Sequence, residues 1–216
     1  MAVPGQPLLR GVSHQIACFV ALGAGIMLIA IAQSGRAILG ATIYALSLTV
    51  MLGVSASYHR VRWRPMAQQM WKRVDHAMIF VFIAATYTPI CLVAIGGAAG
   101  AKLLALVWLG AAAGALQALW WSRAPRGLAV ALYLGLGWSL FAYLPEAIAA
   151  LSRTAIGLLV VGGVLYTVGA VVYALRRPDP APRVFGYHEI FHACVVAAVV
   201  CHFVAVTAII RGGVAT

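Results

Sequence analysis

Residues 187–210 read Tyr187-His-Glu-Ile-Phe-His-Ala-Cys-Val-Val-Ala-Ala-Val-Val-Cys-His-Phe-Val-Ala-Val-Thr-Ala-Ile-Ile210. After Glu189 this stretch carries no Asp, Glu, Lys or Arg. As a helix it is long enough to cross a hydrocarbon core about 30 Å thick. Its first two turns hold His188 and His192. Four residues apart on a helix, both imidazoles project from one face and can share one ion. The stretch is thus a membrane span with a pair of metal-type ligands at its start.

The remainder of the chain agrees with a bilayer as solvent. Of its 216 residues 64% are hydrophobic and only 9% charged, where a soluble domain carries about a quarter charged. So much apolar surface cannot be hidden in a single core. The net charge of +11 could suggest nucleic acid, but the basic residues sit in short segments between apolar runs, as in cytoplasmic membrane loops. The four cysteines, Cys18, Cys91, Cys194 and Cys201, lie inside apolar runs without C-x-x-C spacing and read as small buried hydrophobes.

Seven apolar stretches are expected to span, at approximately 14–33, 38–58, 75–95, 100–121, 127–145, 154–174 and 187–210. The breaks are Ser34-Gly35-Arg36, a basic 59–74 loop, Gly96-Gly97, Arg123 to Gly127, Pro145-Glu146, and Arg176-Arg177-Pro178-Asp179-Pro180. The fifth span carries the weakest signal. Arg10 followed by an apolar run and Ala30-Ile31-Ala32 has the outline of a weak signal peptide. The run is too long and its start too weakly basic, so it is expected to remain as the first span. The chain therefore reads as one all-α, seven-helix membrane domain.

Lys and Arg in alternate loops orient the bundle. The N-terminus and the 59–74, 122–126 and 175–186 loops hold one, five, two and three, eleven in all; the other side holds Arg36, Lys102, Arg153 and Arg211. The positive-inside rule then puts the N-terminus in the cytoplasm and the C-terminus outside. Under this topology the second span ends at His59, the third starts at Asp75 and the seventh starts at His188, all at the cytoplasmic edge.

Ionisable groups inside a membrane are costly and mark functional sites facing the bundle interior. Ser55 and His59 share the four-residue relation of His188 and His192. Three neutral imidazoles plus a water make an open zinc site of the catalytic type, in which the water's pKa falls toward neutrality. Asp75 could hydrogen-bond that water as general base or orienter, and Ser55, one turn deeper, could donate to the water, to Asp75 or to a substrate oxygen. His76 is a secondary candidate, rotated about 100° from Asp75. His14 reads as an interfacial residue, and His202, mid-span, as packed and hydrogen-bonded. Thr86-Tyr-Thr-Pro89 marks a proline kink whose freed carbonyls are met by hydroxyls.

His188-Glu189-Ile-Phe-His192 also spells H-E-x-x-H, the zincin pattern in which the glutamate is the base. That makes an intramembrane metalloprotease an alternative and Glu189 a second candidate residue. The metzincin extension is missing, since Val195 and Ala198 stand where a glycine and a third histidine would be needed. No acidic residue follows Glu189. The third ligand is better supplied by His59.

These motifs, in this order, resemble those of the hemolysin III proteins, bacterial members of the progestin and adipoQ receptor family. The likeness rests on Ser55-x-x-x-His59, Asp75-His76, Tyr87-Thr-Pro89 and Gly186-Tyr-His-Glu-Ile-Phe-His192. It covers nearly the whole chain. The resemblance implies zinc on His59, His188 and His192, with Asp75 and Ser55 holding the bound water. The wider superfamily includes alkaline ceramidases, which hydrolyse lipid amides, so a lipid-directed hydrolase or lipid-homeostasis factor of the bacterial cytoplasmic membrane is expected, with membrane lipids as substrate or ligand. The chain lacks a long N-terminal extension of the kind the eukaryotic receptors carry, so hormone sensing is not implied. A non-enzymatic sensor in which zinc ties spans together is an alternative. A membrane-permeabilising hemolysin is another, for which the charge and the loop tryptophans Trp63 and Trp71 would supply contact with anionic lipid.

Overall fold

Serine, proline and glycine set the helix ends. Ser34 and Ser152 adopt extended backbone and accept hydrogen bonds from Ala37 N and Ala155 N, each at 3.2 Å. These are N-caps for α2 (Gly35–Arg60) and α7 (Arg153–Leu175). Pro65 stands in the first turn of α3 (Pro65–Pro89), where its missing N–H costs nothing. Gly96 and Gly97 have φ of +61° and +54° and turn the chain into α4 (Gly97–Trp120).

The computed structural model describes residues 7–121 and 124–212. Its other helices are α1 (Val12–Ala30), α5 (Arg126–Gly137), α6 (Leu144–Ala150) and α8 (Tyr187–Ile210). An isolated antiparallel β bridge pairs Ala181 with Phe185 in the connection before α8. Seven segments are long and apolar enough to span a membrane, the fifth being Gly127–Ala150. Arg123 of the expected fourth break lies outside the described residues.

Two expected boundaries move. The third helix begins at Pro65 rather than 75, and the supposed 59–74 loop shrinks to four extended or bent residues before it. Hydropathy marks where a helix enters lipid, and a helix can continue beyond that point through basic residues. The fifth span runs past Pro145 to Ala150, but in three pieces: α5, a 3₁₀ segment at Ser139–Tyr143, and α6. Gly135 and Gly137 weaken the helix there, and Pro145 cannot donate to the preceding turn.

The Thr86–Pro89 distortion takes a defined form. The hydroxyls of Thr86 and Thr88 donate to the carbonyls of Phe82 and Ala84, both at 2.9 Å. Pro89 ends α3, and a π-helical turn, Ile90–Ile95, follows, a wider winding that absorbs the lost hydrogen bond. Tyr87 reaches across to the fifth span. Its hydroxyl donates to Gly137 O at 2.6 Å and accepts from Leu140 N at 3.0 Å, pairing both sides of the break between α5 and the 3₁₀ segment.

The interior packs as three apolar clusters. One joins α1, α2, α3 and α8 around Tyr44, Leu48 and Leu52; one joins α3 and α4 around Phe80, Leu103 and Val107; one joins the π turn, α6, α7 and α8 around Ile90, Leu151 and Ile209. Large apolar side chains also cover the outside, among them Phe19, Leu109 and Trp120. Water would disfavour such a surface, but hydrocarbon does not. All four cysteines are free thiols.

Candidate metal centre

His188 and His192 are the second and sixth residues of α8, and His59 is the penultimate residue of α2. The helical four-residue repeat sets the first pair on one face. Packing of α2 beside α8 brings in the third. Their rings lie 4.6 Å apart for His188 and His192, 4.9 Å for His59 and His188, and 5.0 Å for His59 and His192, centroid to centroid. One nitrogen from each ring falls within 4.8 Å of the others. The trio can hold one metal ion.

His59 and His192 are 4% and 2% exposed, yet His59 Nε2 and His192 Nδ1 meet no hydrogen-bond partner among the described residues. A buried, unpaired polar nitrogen costs about 1–3 kcal/mol. A cation at the convergence point removes that cost, so the donor set fits a metal of the zinc type, for which neutral imidazole is a preferred ligand.

A cavity of about 190 Å³ adjoins the histidines. Asp75 and Ser55 line it beside His188 and His192, while Phe82, Trp138, Leu159 and Val195 supply apolar wall. It reaches His202, ten residues beyond His192 and so about 15 Å further along α8. His202 Nε2 donates to Leu159 O at 3.1 Å, as expected of a packed histidine. Asp75, on α3, shares the wall of that cavity with Ser55, on α2. His76 sits 3.8 Å from Asp75 Oδ2, and its Nδ1 donates to Lys72 O at 2.7 Å, one turn back. It borders the cavity without joining the trio.

Glu189 does not face the histidines as a zincin base would. One carboxylate oxygen pairs with Arg10 Nε, and the other accepts from Gly186 N at 2.8 Å. It caps the start of α8 and ties it to the N-terminal segment.

The N-terminal segment is built into the site by tertiary packing. Leu8 N and Leu9 N donate to Arg183 O and Val184 O at 3.0 and 3.2 Å, docking it on the connection before α8. Gly11, at φ +74°, lies so near His59 that an added Cβ would come within 2.7 Å of the histidine's own. His14, expected at an interface, is 3% exposed instead. Its Nδ1 hydrogen-bonds Ser55 Oγ at 2.8 Å, and its ring stacks on His192 with centroids 3.8 Å apart and planes 15° from parallel. His14, the third residue of α1, lies at the same end of the bundle as His59 and His192, whose ring it stacks on. No histidine, serine or carboxylate stands three or four residues from it.

A family model described as haemolysin-III related matches residues 4–203. Hemolysin-3 of Bacillus cereus is 27% identical over 175 residues, 80% of each chain. A hemolysin-3 homolog of Bacillus subtilis (strain 168) is 28% identical over 193 residues, 88% of this chain and 87% of the relative. With a seven-helix bundle behind that match, the chain belongs to the haemolysin-III related family.

Proposed function

We propose that the protein is a zinc-dependent hydrolase of lipid amide or ester bonds in the bacterial cytoplasmic membrane, its metal site near the cytoplasmic leaflet. The observation carrying this reading is the convergence of His59, His188 and His192 beside an apolar cavity whose wall also holds Asp75 and Ser55. Three protein ligands leave a fourth position open, the pattern of catalytic rather than structural zinc. When bound, zinc supplies polarisation of a carbonyl and acidification of water.

The chain's own residues supply the rest. The apolar wall takes the hydrocarbon part of a substrate and keeps bulk water away. Asp75 lines the cavity together with His188 and His192, and its carboxylate accepts the proton of the attacking water and passes it to the leaving group. Ser55 orients that carboxylate through its hydroxyl. Loop charge, eleven basic residues against four, supports the cytoplasmic placement.

Metal analysis of purified protein beside His59→Ala is the first test. One zinc per chain, lost on the substitution, is expected; retention of zinc would remove the trio from the account. The zinc-loaded protein is then incubated with ceramides and phospholipids. Product formation should fall at least 10²-fold in Asp75→Asn, the order expected for a general base. Turnover no greater than that of His188→Ala would sink the hydrolase.

The non-enzymatic reading is favoured by one observation: the trio joins only α2 and α8, so an ion there also ties two helices distant in sequence. Asp75→Asn separates the two. Full cellular phenotype with zinc and stability intact supports the tie alone.

A further inference from the structure

His14 touches both halves of the candidate site. Its ring covers His192 face to face, and its Nδ1 bonds the Ser55 hydroxyl. Ser55 has one hydrogen to give. One proton is shared between His14 Nδ1 and Ser55 Oγ, so the bond ties the hydroxyl to the ring, in a cavity wall that also holds Asp75.

We infer that His14 is a positioning residue of the metal site, fixing the ring plane of His192 and the direction of the Ser55 hydroxyl together. The inference rests on the zinc reading above. A ligand imidazole free to rotate samples orientations that miss the ion, and a stacked neighbour with centroids 3.8 Å away restricts that rotation. The N-terminal docking of Leu8, Leu9 and Arg10 holds α1 at the height this requires.

The test uses purified full-length protein. Zinc affinity is measured by competition with a chromophoric chelator, and the geometry of the site by the visible spectrum of the cobalt-loaded form. His14→Ala is expected to weaken zinc binding by about 10–100-fold, the usual loss when a group supporting a ligand is removed, and to shift the cobalt bands. His14→Asn keeps a donor near the Nδ1 position and His14→Phe keeps a ring face, so each recovers part of the loss. His14→Phe combined with Ser55→Ala binds zinc no more weakly than Ser55→Ala alone, because both remove the same link. Should the alanine variant fail to fold, the asparagine and phenylalanine variants decide. Wild-type affinity and spectrum in those variants overturn the role of His14 while leaving the zinc site standing. A wild-type protein that binds neither zinc nor cobalt overturns both.

Discussion

Gly11 shows how closely backbone and site are fitted. Its φ of +74° is one that an L side chain rarely adopts, and the space where a Cβ would go is filled by His59. Alanine there costs about 1–2 kcal/mol from the left-handed conformation alone, before His59 is pushed aside. Gly11→Ala should therefore lower the thermal unfolding midpoint in detergent and weaken zinc binding at once; a stability loss with zinc affinity intact would show that His59 does not move. At this scale the sequence was legible where chemistry repeats at helical spacing. Ser55 with His59 and His188 with His192 announce themselves by the interval of four. His14, Gly11 and Arg10 meet their partners only through tertiary packing, and no interval encodes that.

Among the helices, the informative one is the broken fifth span. A gap in helical hydrogen bonding that faces hydrocarbon leaves backbone groups that lipid cannot satisfy. Tyr87 closes the gap with one hydroxyl used in both directions. Tyr87→Phe removes both bonds and should destabilise the protein by about 1–3 kcal/mol. Faster amide exchange over 137–143 is the local signature, and unchanged exchange there would assign the hydroxyl no such role. Composition revealed that residues 127–145 were a poor helix, through Gly135, Gly137 and the following Pro145. It did not reveal the 3₁₀ repair, because the repairing group lies on another helix. The early start of α3 escaped for a different reason: hydropathy reports solvent, and Pro65 to Arg73 are helical without being apolar.

For the whole bundle, seven spans followed from length and hydrophobicity, since each apolar run has only one way to satisfy its backbone in lipid. Their order also set which ends meet. A reporter active only outside the cytoplasm, fused beyond Arg211, is expected to be active, and one fused in the 61–64 connection inactive; the opposite pair of results would invert the bundle and move the histidines to the outer leaflet.

Chains are synthesised from the N-terminus, and α8 is made after the other seven helices. His59, Ser55, Asp75 and His14 are all in place before the two remaining imidazoles exist. Until Tyr187–Ile210 has inserted and closed against α1 and α2, the nascent protein has nowhere to keep an ion. If the proposed zinc site is right, metal uptake reports completed insertion, and a chain stalled before its eighth helix is expected to carry no zinc.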